Sequence, residues 1–293
     1  MSPGLRMLIG AVMISFSAPI VRFVEVAPTT SAFYRMAIGG AVLLIWTLAS
    51  GRLSIPRGRV ALWIAATAFF FMLDLVFWHR SIWYIGPGLA TILANFQVFV
   101  LALAAVVLYG ERVGWRFATA VTLAVAGLWL MVGLDWDALP QQYHIGVMLG
   151  LATAVAYSAY MLSLRRVQEK HGLDAPGILT WSTMICAIYL ALVNIYEGHS
   201  FAIPDWQTGS ALVAYGLFCQ VFGWLLITSA ITRLSTAVVG LMLLLQPALS
   251  FLWDVLFFDR PTTSIELVGA SLALVGIYIG LTRRPRSRTP APP

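Results

Sequence analysis

Apolar residues in this chain come in blocks of about 20, separated by short polar punctuation, and they do so from one end to the other. A helix of that length, rising 1.5 Å per residue, crosses a bilayer core of ~30 Å. The blocks predict ten membrane helices, over about 4–24, 30–49, 60–83, 86–109, 114–133, 145–165, 175–196, 208–231, 236–258 and 264–282. Pro, Gly and charge mark the breaks, as in "VAPTT", "SGRLSIPRGR", "YIGPG", "YGERVG", "TRLST" and "FDRPTTS". "DWDALPQQYH" and "YEGHSFAIPDW" are longer connections. The predicted fold class is an all-α integral membrane protein.

Composition agrees with that pattern. Hydrophobic residues make up 60% of the 293 and charged residues 10%, against about 25% charged in a soluble domain. The formal net charge of +6 could point to nucleic acid, but the placement of the basic residues points elsewhere. With the N-terminus in the cytoplasm, fourteen of the eighteen Arg and Lys fall on the inner side and three on the outer, with Arg35 inside a span. This bias predicts cytoplasmic N- and C-termini and an even number of spans. The lipid bilayer is therefore an expected partner and nucleic acid is not. Cys186 and Cys219 sit in apolar runs with no disulfide or zinc spacing, and read as core thiols. The tail from 283 to 293, "RRPRSRTPAPP", is basic, Pro-rich and expected to be disordered and cytoplasmic.

The chain also repeats itself. "QVFVLALAAVVLYGERVGWRFATAVTLAVAGLWL" from Gln97 aligns with "QPALSFLWDVLFFDRPTTSIELVGASLALVGIYI" from Gln246, at an offset of 149. Gln97 falls on Gln246, and Gly127 on Gly276. "FSAP" at 16–19 aligns with "YSAY" at 157–160, so the first span has a counterpart and does not read as a signal peptide. The expected organisation is a five-helix repeat over 1–134, a periplasmic linker over 135–144 and a second five-helix repeat over 145–282. Five is odd, so the second repeat must insert upside down. Inverted repeats meeting at the bilayer midplane are a common transporter design.

On these residues the chain resembles the drug/metabolite transporter superfamily with its paired EamA-type domains. "YGER" (109–112) matches that family's turn after the fourth helix, and "LLLQPALSFLWDVLFFDR" (243–260) matches its Pro-containing helix. Val98 stands where the first-half Pro would be, and "FFDR" replaces the Gly-Glu turn. Within the superfamily, "FFFMLDLVFWHRSIWYIGPGLATILANFQVF" is most similar to the bacterial aromatic amino acid exporters of the YddG type. The resemblance implies an inner-membrane exporter of Phe, Trp and Tyr and of other neutral amino acids, with Met or Thr as further candidates; no cofactor is expected, and the oligomeric state, a monomer among the options, is left open. Export of other small metabolites or drugs coupled to protons is the alternative.

Polar groups inside a bilayer are costly, so each needs a reason. Asp74 lies ~13 Å from the end of the third span, near the midplane. It reads either as a group that holds a substrate ammonium or a proton, or as a structural hydrogen-bond partner. Trp78, four residues on, shares its helix face, and an indole beside a carboxylate suits an ammonium carrying a ring. His79 is expected near the outer mouth, as a gate or a helix-packing residue. Arg80, with Trp83 and Tyr84, reads as an interface anchor. Asn95 and Gln97 in span 4, and Gln246 in span 9, reach similar depth and read as cavity lining or interhelical bonds. Pro247 frees a carbonyl one turn earlier, which can face a substrate. Tyr157 and Trp181 add aromatic surface. Arg35, one turn into span 2, can take a substrate carboxylate or pair with Glu25. Asp254 reads as interfacial.

No Walker loop, HExxH motif or Cys/His cluster is present in the sequence, so an ATP-driven pump is not expected. A membrane-embedded enzyme is the rival class. It would want acids and histidines gathered at one surface, but the four His stand scattered at 79, 144, 171 and 199. Facilitated diffusion by alternating access is the favoured mechanism, with proton antiport second.

Overall fold

The computed structural model describes residues 1–53, 55–109, 114–132, 136–171, 175–231 and 242–281, and among them every regular element is a helix. In chain order these are α1 (Pro3–Ser15), α2 (Ser17–Phe23), α3 (Pro28–Ala49), α4 (Arg59–Ile85), α5 (Pro87–Ala94), α6 (Gln97–Tyr109), α7 (Trp115–Val132), α8 (Gln141–His171), α9 (Ala175–Tyr196), α10 (Trp206–Ala214), a π-wound segment (Tyr215–Gly223), α11 (Trp224–Ile231), α12 (Leu245–Phe258) and α13 (Ser264–Leu281). A single 3-10 turn, Trp136–Ala138, precedes α8. That turn and the early start of α8 at Gln141 shorten the connection expected over 135–144.

Among the described residues, seven helical stretches are long and apolar enough to cross a membrane: Pro3–Phe23, Pro28–Ala49, Arg59–Ile85, Pro87–Leu108, Gln141–Leu164, Pro176–Tyr196 and Trp206–Ile227. Trp115–Met131, Leu245–Phe258 and Ser264–Gly280 are apolar but shorter. The "YGER" turn at 109–112, the start of the ninth predicted span and the basic tail lie largely outside the described residues.

Three of the long stretches are interrupted, and local chemistry explains the first two. In the first, Pro19 has no N–H and its ring excludes the carbonyl four residues back, which belongs to Ser15. The ladder stops there, and the freed Ser15 carbonyl accepts a hydrogen bond from Ser250 Oγ of α12 at 3.1 Å. Trp253 Nε1 donates to Ser15 Oγ at 3.0 Å, and Cys219 Sγ donates to the Met13 carbonyl at 3.3 Å. The break in α1–α2 thus becomes a junction with two other spans.

In the second, between α5 and α6, Asn95 and Phe96 form a tight turn, and Asn95 Nδ2 donates back to the Thr91 carbonyl at 2.8 Å. Short polar side chains that bond nearby carbonyls compete with the helix ladder in this way. A turn also stands at Leu244, just before α12, 149 positions from Asn95 and so at the offset of the sequence repeat. Pro247 falls in the first turn of α12, where a missing N–H costs little. The third interruption is the π-wound segment, a geometry that recurs at functional positions.

The broadest interfaces pair α4 with α8, α7 with α13 and α3 with α9; α1 packs on α11 and α5 on α12. Glycine allows the closest of these contacts. A Cβ at Gly127 would stand 2.4 Å from the Gly269 carbonyl oxygen, and one at Gly276 would stand 2.6 Å from the Ala120 oxygen. Small residues at such crossings let backbones meet, and dispersion rather than the hydrophobic effect holds helices together in lipid. Two apolar clusters fill the interior. One gathers Ile82, Leu89, Leu93, Phe96, Tyr215 and Phe251. The other gathers Met36, Phe71, Leu75, Tyr160, Cys186 and Leu190.

Substituting Gly127→Val or Gly276→Val overpacks the α7–α13 crossing, a change that costs about 1–3 kcal/mol in well-packed cores. Either variant is expected to melt earlier in detergent than the wild type, by circular dichroism. Gly114→Ala, where a Cβ meets nothing within 4 Å, is expected to melt as the wild type does.

Candidate functional site

Where the two apolar clusters meet, five charged or polar side chains from α3, α4 and the π-wound segment are buried together. Arg35 is 6% exposed, Asp74 7%, Gln220 2%, and Tyr215 and His79 0%. Arg35 Nε donates to Gln220 Oε1 at 3.0 Å, and its NH1 donates to the Tyr215 hydroxyl at 3.0 Å. The guanidinium also lies over the Tyr215 ring, 5.0 Å from its centroid. The Tyr215 hydroxyl meets His79 Nε2 at 3.1 Å, and His79 Nδ1 meets the Leu75 carbonyl at 2.7 Å.

The direction of this chain follows from its end. A carbonyl only accepts, so His79 Nδ1 carries the proton and Nε2 takes the hydrogen of Tyr215. The Tyr215 oxygen then presents its lone pairs to Arg35. A second proton on His79 would aim two cations at one hydroxyl.

Asp74 completes the group. It lies within Coulombic range of Arg35, and its charge also reaches Tyr157 and Tyr160 on α8 and Cys186 on α9. No hydrogen bond reaches its carboxylate among the described residues. No Arg35 nitrogen comes within 4.0 Å of it as an ion pair. A buried carboxyl group and a buried guanidinium therefore lie near each other in the interior without direct contact. Both Arg35 NH2 hydrogens also lack a protein partner among the described residues. Aromatic surface stands nearby: Tyr160 stacks on Phe71 at 4.5 Å between centroids, and Tyr157 meets Tyr160 edge-on at 5.6 Å.

The structure sorts the residues singled out from the sequence. It brings Arg35, Asp74, His79 and Tyr157 into one neighbourhood. Arg35 bonds inward to Tyr215 and Gln220; the Glu25 amide instead donates to Thr208 Oγ1 at 3.4 Å. His79 is sealed from solvent with both ring nitrogens occupied. Trp78 is half-buried and edge-on to His79 at 5.2 Å. The Asn95 amide is engaged by its own helix. Gln97 leaves Oε1 buried without a partner among the described residues, while its main-chain carbonyl accepts from Ser158 Oγ at 3.3 Å. Gln246 is half-buried and Pro247 buried in the first turn of α12. Trp181 stands apart, packed with Trp63 on Ile64, Val167 and Ile178.

Two further residues singled out from the sequence make ion pairs. Arg80 makes an ion pair with Glu197, which also accepts from Thr29 Oγ1 at 2.7 Å and lies 3.3 Å from His199 Nε2. Asp254 is buried within the protein, 2% exposed. It accepts from the Gly88 amide at 3.0 Å and from Arg260 at 3.2 Å. The amide belongs to the first turn of α5, where a carboxylate satisfies an orphan donor and complements the helix dipole. Glycines at 86 and 88 make room: a Cβ at Gly86 would stand 2.6 Å from Asp254 Oδ2, and the residue's φ of +82° also favours glycine.

Tyr215 and Gln220 were not among the sequence candidates. Gln220 carried a usable signal, an amide in the middle of "LFCQVFGW" at a depth where amides are costly. Tyr215 carried none, because an α-helix would set residues five apart on different faces, whereas a π-wound segment closes its ladder over five residues. That winding lets Tyr215 and Gln220 hold one guanidinium together.

Comparison with known proteins adds independent findings. The model of the EamA-like transporter family matches twice, over residues 2–133 and 144–282. The threonine/homoserine exporter RhtA of Escherichia coli K12 is 26% identical over 181 residues, covering 61% of this chain and 58% of the exporter. A probable amino-acid metabolite efflux pump of the same organism is 24% identical over 203 residues, 66% of this chain and 67% of the pump. The matches span little more than half the length of the RhtA exporters, 53–58%. A solved structure described as "Crystal structure of protein" superposes with a TM-score of 0.63 at 19% identity, covering 94% of this chain and 95% of its own. That likeness concerns the fold alone.

The two buried acids are expected to differ in stability tests. Asp74→Asn removes a buried charge that lacks a bonded partner, which relieves an energetic cost. It is expected to raise the melting temperature in detergent by about 2–4 °C. Asp254→Asn weakens the Arg260 pair and the contact with α5, and is expected to lower it by a similar amount. Both are read from thermal unfolding of the purified variants.

Proposed function

The chain belongs to the EamA-like transporter family, and on that premise we propose that it is an inner-membrane secondary transporter that exports amino acids by alternating access. The observation that carries the substrate class is the pair of buried opposite charges, Arg35 and Asp74, close enough to interact and too far apart to neutralise each other. An α-amino acid brings a carboxylate and an ammonium on adjacent atoms. Its carboxylate suits the unpartnered NH2 face of Arg35, and its ammonium suits Asp74. Each charge then gains a partner that the protein withholds, and burial strengthens both contacts. The names of the relatives, an exporter of threonine and homoserine and an amino-acid efflux pump, support the class.

Within that class, the ring-rich surroundings formed by Trp78, Tyr157, Tyr160 and Tyr215 favour a second reading, in which Phe, Trp and Tyr are also carried. The RhtA relatives favour small hydroxylated side chains instead. The three shorter apolar helices are read as membrane spans, giving ten. The two family matches are read as inverted five-span repeats. The interfaces between α4 and α8, α3 and α9, and α7 and α13 each join one half to the other, as rocking of one bundle against its counterpart requires. Asn95, Gln97 and Gln246, at similar depth, are read as the polar wall of the path. Facilitated diffusion is the simplest coupling, since one unpaired acid and no metal ligand set enter the proposal.

Uptake of radiolabelled Thr, homoserine, Phe, Trp, Met, Lys and Glu into proteoliposomes without ion gradients tests this. Saturable entry of neutral amino acids is expected, reduced at least ~10-fold in Arg35→Lys and Asp74→Asn, since hydrogen bonds to charged groups are worth about 1.5–3 kcal/mol. Entry only under a pH gradient would replace facilitated diffusion with proton coupling. No entry of any amino acid, with or without that gradient, would overturn the substrate class.

A further inference from the structure

Arg35 is held by a brace that its burial alone does not require. An arginine side chain on α3 has several rotamers, and one that only neutralised Asp74 would fold over onto it. Here Gln220 takes Nε and Tyr215 takes NH1, at 3.0 Å each, while the Tyr215 ring supports the guanidinium plane at 5.0 Å. Tyr215 is itself fixed by His79, and His79 by the Leu75 carbonyl. Two glycines bring the bracing segment close. A Cβ at Gly39 would stand 2.6 Å from Gln220 Cγ, and one at Gly216 would stand 2.7 Å from Ile38 Cβ. The elements α3 and π-wound segment therefore touch along the line that sets the reach from Gln220 to Arg35.

Resting on the amino-acid reading above, we infer that Tyr215 and Gln220 are positioning residues that hold Arg35 off Asp74 and aim its NH2 face at a substrate carboxylate. The physical case is geometric. Two neutral acceptors fix two of the guanidinium's three nitrogens without cancelling its charge. An acidic residue in either place would form an ion pair and remove the attraction for substrate. The amide and the phenol give direction and leave the charge for the ligand. Because the π winding supplies both, the position of Arg35 is tied to the winding of this segment, and unwinding it to a regular helix would release one of the two acceptors.

The test separates aiming from packing by asking what the site discriminates. L-threonine and L-threonine amide share the ammonium and side chain, and only the acid offers a carboxylate. L-phenylalanine and its amide form a second pair. Apparent affinities are measured by competition in proteoliposomes for whichever acid the wild type carries. The variants are Tyr215→Phe, which keeps the ring under Arg35, and Gln220→Leu, each confirmed monodisperse in detergent. Each is expected to lower the preference for acid over amide by ~10-fold, the scale of one hydrogen bond to a charged group, and to leave the affinity for the amide unchanged. Gln220→Leu stands as an independent trial if Tyr215→Phe does not fold.

Equal weakening toward acid and amide would show a packing role and overturn the inference. Unchanged preference in both variants, with lost preference in Arg35→Lys, would overturn the positioning role and leave the amino-acid reading standing. Unchanged preference in Arg35→Lys as well would overturn both.

Discussion

A buried arginine and a buried aspartate that sense each other without meeting set the terms for the rest of this molecule. In a medium of low dielectric such a pair is drawn together strongly, and collapse into direct contact is the ordinary outcome. Here the guanidinium is restrained on its own side by Gln220 and Tyr215, so the attraction remains unspent. The cost falls on the fold, which must bury two charges, and packing elsewhere has to offset it. The glycine-lined crossings of α7 with α13 and of α3 with the π-wound segment do so by bringing backbones close. On the proposed reading a zwitterion supplies the missing partners, so the same arrangement that weakens the fold would serve recognition.

The interruptions in the helices serve that arrangement. A continuous helix satisfies its own backbone and has nothing to offer a neighbour. Pro19 frees the Ser15 carbonyl, and Ser250 and Trp253 of α12 join the break. Asn95 turns the chain between α5 and α6, and Asp254 receives the first turn of α5. The π-wound segment sets two acceptors on one face. Spans that are broken and rejoined in this way can shift against each other without exposing unpaired backbone to lipid.

The membrane-helix architecture was legible because apolar block length is a strong one-dimensional signal. The repeat was visible too, and its offset reappears between the turns at Asn95 and Leu244. Asp74 and Arg35 stand out in the sequence as charged residues within apolar spans, and both are buried. Partnerships could not be read there, because they depend on which face each helix turns inward. From the sequence His79 reads as a gate or a helix-packing residue near the outer mouth; rise gives depth and not rotation, so its burial against Tyr215 was not legible. Asp254 reads as interfacial from its place near a helix end; that it is buried against the first turn of α5 depends on a partner helix that position alone does not reveal. Trp181 looked equivalent to Trp78 by depth alone, yet α9 turns it toward the Ile64 cluster. Tyr215 depends on a π winding that hydrophobic periodicity does not encode.

The central claim is that the site reads a zwitterion with two separate charges, and ligand-dependent melting of the purified protein tests it most directly. A ligand that binds only the folded state raises the melting temperature with concentration. Free threonine or phenylalanine is predicted to raise it, while the N-acetyl acid, lacking the ammonium, and the amino amide, lacking the carboxylate, each raise it far less. Equal shifts from the free amino acid and from either blocked form would contradict the account, because one of the two charges would then have no part in holding the ligand.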